Sequence, residues 1–237
     1  MTITYHHDLQ QGTDEWLAAR RGILTASEVK LIMTPGGKTA ANKETRAHVY
    51  HLLGQRISGY VEPTFQSYDM EQGKIGEIYA RQIYHEQVAE TQECGFVTND
   101  RWGFTLGYSP DWLVGDDGLA ECKRRCQKYQ VQTIVEHVAI GKGLTIPADY
   151  VLQCQSGLLV TERKWLDFVS YHGGLPMAII RVWPDPTIQE AIVEAATAFE
   201  AQIAEKWKLY RDAEWTDGAR LIETERKIEQ EMPQWAA

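Results

Sequence analysis

Asp111, Glu121 and Lys123 lie within GYSPDWLVGDDGLAECKRR, residues 107–125. Glu121 and Lys123 are two residues apart, so on a β-strand both side chains leave the same face. Asp111 joins that face when the turn between two strands sets it opposite 121 or 123. A connection of odd length does this. A strict four-residue loop over 115–118 sends Asp111 to the other face, unless a bulge restores it. Two converging carboxylates suit a hard, oxygen-seeking cation such as Mg²⁺. A lysine beside them can orient or help deprotonate a cation-bound water, which is the equipment for phosphodiester hydrolysis. The bland alternative is a surface hairpin with a Glu–Lys pair.

The elements that must position these residues can be read from pattern. Helices are expected at Trp16 to Ala19 with Thr13 as N-cap, and over TASEVKLIM, where Thr25 or Ser27 caps and Val29, Ile32 and Met33 face inward. TPGGKTAANK reads as a glycine-rich surface loop. Residues 43–58 read as a helix with Val49, Leu52, Leu53 and Ile57 at helical spacing. Residues 69–90 read as another, burying Ile75, Ile78, Tyr79, Ile83 and Val88. Short strand-like runs follow (CGFVTN, FTLGYSPDWLV, LAECKR), then a helix over 128–140. DYVLQCQSGLLVT fits a helix or a strand. WLDFVSYH and MAIIRVW read as strands, stopped by Pro184 and Pro186. An amphipathic helix over 187–210 places Ile188, Ile192, Ala195, Phe199, Ile203 and Trp207 on one face. The order of helices, mixed sheet and helices implies an α/β or α+β domain around a central mixed sheet.

Composition narrows the class. With 237 residues, 43% hydrophobic and 24% charged, the chain can bury a sizeable core. No apolar run approaches the roughly 18 residues that cross a bilayer, and the N-terminus does not read as a signal peptide, so a cytoplasmic protein without membrane partners is expected. Cys94, Cys122, Cys126 and Cys154 form no C-x-x-C pair and read as reduced, partly buried thiols. The net charge of −9 hides a segregation. Residues 18–48 hold six Lys or Arg against two Glu, and 121–130 hold four against one, while 185–232 hold twelve acids against six bases. Local basic patches can bind phosphates even on an acidic chain.

Four motifs then fall in a familiar order. QGTDEWLAARRGILTASEV (11–29), GKIGEIYA (73–80), SPDWLV…LAECK and YVLQCQ (150–155) resemble those of the lambda-exonuclease and YqaJ-type viral recombinase nucleases, a branch of the PD-(D/E)xK nucleases. The resemblance covers about residues 10–161. It implies a restriction-endonuclease-like core in a single nuclease domain: an N-terminal DNA-end-binding part over about 10–60, a catalytic core over about 70–183 and a C-terminal helix over about 187–212. It implies that Asp111, Glu121, the backbone carbonyl of Cys122 and Glu77 hold Mg²⁺, with two ions per site and Mn²⁺ as a substitute. Lys123 and Gln153 then match the catalytic lysine and the glutamine near the attacking water. Arg20 and Ser27 match a pocket for a terminal 5′-phosphate, with Trp16 packing the region or touching the DNA end. Met70 matches an apolar wedge, and Lys38 is the cation nearest to a groove-probing position. A related branch carries Gln-x-x-x-Tyr, whereas Gln153 here is followed by Gly157, so no tyrosine role can be assigned there. The implied activity is a processive 5′→3′ exonuclease on double-stranded DNA ends. It would work as a homotrimeric ring, encoded by a phage or prophage, with a single-strand annealing protein as partner. A restriction-like or structure-selective endonuclease and a non-catalytic DNA-binding ring are the rivals.

Overall fold

In the computed structural model, which describes residues 2–34, 36–62, 68–214 and 217–226, the 111–123 hairpin sits in the middle of a five-stranded sheet. The chain begins with β1 (Ile3–His6) and α1 (Asp14–Arg20), whose first turn is capped by the Thr13 hydroxyl. After β2 (Leu24–Thr25), residues Ala26–Leu31 form a 3-10 helix, not the α-helix expected over 25–33. The Glu28 carboxylate accepts from the Thr25 backbone N–H at 3.0 Å and its hydroxyl at 2.7 Å, tightening this turn. The expected glycine-rich surface loop is flanked by a bridge between Met33 and Thr39.

α2 (Lys43–Ser58) matches the expected bounds, capped by Asn42 and ended by Gly59 in the left-handed region at φ +64°. α3 (Tyr68–Gln87) buries a different stripe from the one expected. Its buried positions are Gly76, Ala80 and Tyr84, each one turn from the next, with Ile83 half-buried. Ile75, Ile78, Tyr79 and Val88 are exposed, Ile78 by 68% and Tyr79 by 55%. The cause is close packing: a side chain at Gly76 would meet Arg124 at 2.9 Å, so the small Gly76 and Ala80 let this face of α3 lie near the sheet, with Tyr84 packed against Trp112 one turn further on.

β3 (Thr91–Gln92), β6 (Trp112–Val114), β7 (Gly118–Arg124), β8 (Trp165–Tyr171) and β9 (Ala178–Val182) form the five-stranded sheet in that order. All its pairs are antiparallel except β7–β8. A second, four-stranded sheet runs β1, β4 (Phe96–Asn99), β5 (Leu106–Tyr108), β2. The mixed α/β architecture expected is present: the five-stranded sheet is the central mixed sheet, and a second mixed sheet stands beside it. The expected helix over 128–140 is α4 (Gln127–Gln132) running directly into a π-helical stretch, Thr133–Ile140. The segment ambiguous in sequence is a helix, α5 (Ala148–Thr161), packed between the two sheets. α6 (Pro186–Arg211) opens with Asp185 capping and Pro186 in its first turn. It buries Ile192, Ala195, Phe199 and Ile203, but Trp207 is 37% exposed because the last turns run beyond the core.

One core lies under α5 and α6, against Leu113, Leu119, Leu166, Phe168 and Ile180; the other lies under α3, against Trp112, Ala120, Cys122 and Val169. Cys94, Cys122 and Cys154 are free and buried, and Cys126 is free and exposed. Among the described residues no helix is long and apolar enough to cross a membrane.

Gly157 on α5 is a close-approach position, since a Cβ there would lie 2.8 Å from the Tyr108 ring. Gly157→Ala gains roughly 1 kcal/mol of helix propensity, but overpacking a filled contact costs about 1–3 kcal/mol. Chemical denaturation is expected to show net destabilisation; an unchanged or raised midpoint would refute this close packing.

Candidate active site

The turn between β6 and β7 is three residues, 115–117, entered by Gly115 at φ +52°. Trp112 pairs with Ala120 and Val114 with Gly118. One step further out, that register sets Asp111 opposite Glu121, so the odd-length connection needed for convergence is the one present. Pro110 has no N–H to continue the ladder. The Asp111 carboxylate takes over, accepting the Cys122 N–H at 2.5 Å. The Pro110 carbonyl accepts from Gln11 Nε2 at 2.9 Å, which ties the N-terminal motif to the start of the hairpin.

Glu121 is 1% exposed and accepts three side-chain donors. Lys123 Nζ and Gln153 Nε2 each lie 2.5 Å from Oε1, and the Tyr108 hydroxyl lies 2.8 Å from Oε2. Gln153 arrives from α5 and Tyr108 from β5, so both sheets and the helix between them meet at one carboxylate. Tyr108 is the residue that sequence reasoning missed. Glycine at 157 leaves the space that its ring fills, so a phenol reaches the acid from a strand. The only sequence signal was its place in GYSPD, three residues before Asp111.

Glu77 comes from α3 and completes the acidic set within hydrogen-bonding reach of Asp111. Burial pushes its carboxyl up to about 7, reinforced by Glu121 and opposed by Lys123 and by the hydrogen bond to Asp111. Burial, with Glu121 and Glu77 nearby, also holds Asp111 well above the usual carboxylate range. Burial alone would lower the Lys123 ammonium, but Glu121 and Asp111 outweigh it and hold it above the ordinary lysine value. Lys123 is thus a firmly held cation and hydrogen-bond donor. Burial and the same acids raise the Tyr108 phenol, which stays protonated and donates.

Oxygen-only donors that crowd like charge at the surface of a cleft fit a hard divalent cation. Among the described residues, no three His, Cys, Asp or Glu side chains already stand in a coordinating arrangement, because Asp111 and Glu121 are turned toward protein donors. The Cys122 side chain points into the core under α3, leaving only its backbone to face the site.

A cleft of about 1300 Å³ runs from this set to the N-terminal motif, lined by Asp111, Glu77, Trp16, Arg20, Thr25 and Glu28 among others. Arg20 lies 4.1 Å over the Trp16 ring and donates to Ser109 at 3.4 Å and Thr25 at 3.3 Å. The Trp16 indole N–H is shared between the Gly95 carbonyl and the Ser109 hydroxyl, both at 3.0 Å. Ser27 is exposed, with its hydroxyl 3.4 Å from that of Thr25. Arg20, Trp16 and Ser27 are therefore one group, joined by Thr25, which the sequence offered only as a cap, and by Ser109, which it did not single out. Lys38 is exposed and stands apart from this group, its N–H donating to the Thr34 hydroxyl at 3.2 Å. The side chain of Met70, at the start of α3, lies outside the described residues.

Residues 15–164 match the YqaJ-like viral recombinase domain. Among solved structures, the alkaline exonuclease LHK-Exo from Laribacter hongkongensis is 30% identical with a TM-score of 0.70, covering 84% of this chain and 96% of its own. The same enzyme in complex with dAMP gives 31%, 0.71 and the same coverage. A phage-related exonuclease from Haemophilus somnus 129PT shares the fold at 14% identity and a TM-score of 0.52, covering 78% of this chain and 96% of its own. No curated protein matches.

The raised Glu77 carboxyl makes stability pH-dependent without divalent cations. A carboxyl whose folded pKa is raised contributes stability below its ordinary value of 4.5, and loses it as pH rises through about 7. Thermal melts in EDTA are expected to fall across that window, and the slope to flatten in Glu77→Gln. An equal slope in the two proteins would contradict the assignment.

Proposed function

This chain belongs to the YqaJ-like viral recombinase domain family and is a nuclease, and from that premise we propose a Mg²⁺-dependent, processive 5′→3′ exonuclease acting on linear double-stranded DNA. Its product is a 3′ single-stranded tail for recombination by strand annealing. The observation that carries this reading is the cleft that joins the Asp111 and Glu77 carboxylates, with Glu121 buried behind Asp111, to the Arg20 group. Cleavage chemistry stands at one end and a cationic seat for a terminal phosphate at the other.

Asp111, Glu121, Glu77 and the Cys122 carbonyl would hold two Mg²⁺, with Mn²⁺ able to substitute; bound cations would neutralise phosphate charge and acidify water. Lys123 keeps its proton and places positive charge beside the attacked phosphodiester. Gln153 and Tyr108, locked on Glu121, fix that carboxylate's orientation, and Gln153 extends toward the attacking water. Arg20 and Ser27 grip the terminal 5′-phosphate, with Trp16 fixing the guanidinium plane. Water's oxygen joins phosphorus as the bond from that phosphorus to the 3′ oxygen of the terminal nucleotide breaks; the 3′ oxygen takes up a proton, a 5′-mononucleotide leaves, and the phosphate stays on the next nucleotide as the new 5′ end. The dAMP complex of LHK-Exo is consistent with such a product.

By family resemblance the chain works as one nuclease unit within a homotrimeric ring. DNA threads the ring, a single-strand annealing protein is the partner, and the setting is the bacterial cytoplasm with a phage or prophage gene. A ring that turns basic patches inward and the acidic C-terminal third outward would suit the charge segregation. The exposed Ile78, Tyr79, Val135 and Ile140 are side chains of the kind that subunit contacts cover.

The test is end-labelled linear duplex with Mg²⁺ or EDTA, with 5′-phosphate or 5′-hydroxyl ends, beside closed circles. Mg²⁺-dependent loss of the 5′ strand, faster from phosphate ends and absent on circles, is expected. Cut circles would mean an endonuclease, and binding without cleavage a scaffold. Lys123→Ala is expected to lower turnover by roughly 10²-fold or more, and full activity in it would refute the mechanism. Arg20→Ala is expected to abolish the preference for phosphate ends at unchanged Mg²⁺ dependence; a preserved preference would remove Arg20 from the pocket.

A further inference from the structure

The basic run 123–128 is only partly used by the reading above, because only Lys123 has a role. The side chains of β7 alternate, so Glu121 and Lys123 share a face and the next position on it is 125. Arg125 lies one residue beyond the strand, but its N–H still continues the ladder, donating to the Tyr171 carbonyl at 2.7 Å. Its own carbonyl accepts from His172 Nδ1 at 2.9 Å. The backbone is thus fixed on both sides, and residue 125 extends the catalytic row.

The side chain confirms the shared face. Arg125 Nη1 donates to the Tyr150 hydroxyl at 2.5 Å, and Lys123 Nζ stands 5.6 Å from the centre of the same ring. Tyr150 is itself held against Phe168, with ring centres 5.3 Å apart. The Arg125 guanidinium lies between two aromatic rings, 5.1 Å from Tyr150 and 5.1 Å from Tyr129. Tyr129 is 45% exposed, and Lys128 stands 4.7 Å from its ring. Among the described residues no carboxylate pairs with Arg125 or Lys128, and Arg125 Nε–H is buried with no acceptor. Arg124 points away, across α3 at Gly76. A rigid guanidinium with unused donors, no carboxylate and an aromatic partner open to solvent is the equipment that binds the backbone and bases of a nucleic-acid strand. Two residues along a strand advance about 6.7 Å, a step that carries a cation from one phosphate to its neighbour.

We propose that Arg125, held by Tyr150 and flanked by Tyr129, is a second phosphate subsite, binding the phosphodiester on the 3′ side of the one cleaved. Tyr129 offers its exposed ring to the adjoining base. The proposal rests on the nuclease reading for the location of the cleaved bond. The subsite holds the strand by its next phosphate while the terminal nucleotide leaves, so it acts on retention of DNA, not on the hydrolytic step.

The test couples the residue to the charge that it binds. The probe is a 5′-phosphorylated duplex carrying one neutral methylphosphonate linkage, next to the terminal linkage on the 3′ side. Affinity is measured in EDTA, where nothing is cut, and KM and kcat in Mg²⁺. The neutral linkage is expected to weaken wild-type binding by about tenfold, the scale of a charge-assisted hydrogen bond. Arg125→Gln should bind both DNAs at that weaker level, and its log affinity should fall less steeply with log salt, by about 0.7–0.9 for one lost phosphate contact. KM should rise with kcat little changed, and Arg125→Lys, which keeps the charge, should restore most of the coupling. An equal methylphosphonate penalty in wild type and Arg125→Gln, or an unchanged salt slope, overturns the subsite. Absence of cleavage by wild type would instead sink the nuclease reading, and the EDTA measurement would still judge Arg125.

Discussion

A carboxylate taken almost wholly out of water must be matched by donors, and Glu121 is that carboxylate. Its three partners come from three elements: Lys123 from its own strand, Gln153 from α5 and Tyr108 from the neighbouring sheet. Each partner constrains the fold around it. Gln153 requires α5 to lie between the sheets, Tyr108 requires an absent side chain at Gly157, and Lys123 requires β7 to keep its two-residue alternation past the hairpin. The close approach of α3 through Gly76 and Ala80 then brings Glu77 to the same place.

The cluster gathers more negative charge than protein donors neutralise. Glu77 and Asp111 are both held above their ordinary values, chiefly by burial and then by one another and Glu121. Such a site is built at a cost in stability and recovers it on binding positive charge. The same physics explains the firmly protonated Lys123, which offsets part of the repulsion while remaining a donor. At the other end of the cleft the balance reverses. Arg20 is gripped by an aromatic face and two hydroxyls, with Glu28 one contact removed, so a cation waits with little direct neutralisation.

The exposed apolar side chains of α3 follow from the same constraint. The face of α3 that carries Gly76, Ala80 and Tyr84 is the one that meets the sheet, so Ile75, Ile78 and Tyr79, on the other faces, are left outward. Their helical spacing looked like a core stripe, and spacing alone cannot say which of two faces meets the sheet. Trp207 failed for a simpler reason, because α6 outruns the core that its first turns cover.

Much of this was legible in the linear chain, because local geometry writes it there. A threonine cap marked α1, helical spacing marked α2 and α6, and period two put Glu121 and Lys123 on one face. The four ordered motifs carried the family. What needed the tertiary structure was every relation that depends on how elements meet. The three-residue turn decided whether Asp111 faced Glu121, since one residue more would have inverted it. The placement of α5 settled its helical state, because an apolar run is equally at home in a buried helix or strand. Tyr108 became part of the site only because Gly157, far along the chain, yields the volume its ring fills. The sequence by itself determined which groups could do chemistry. Packing decided which of them touch, because contact is set by register and volume between segments that no local pattern encodes.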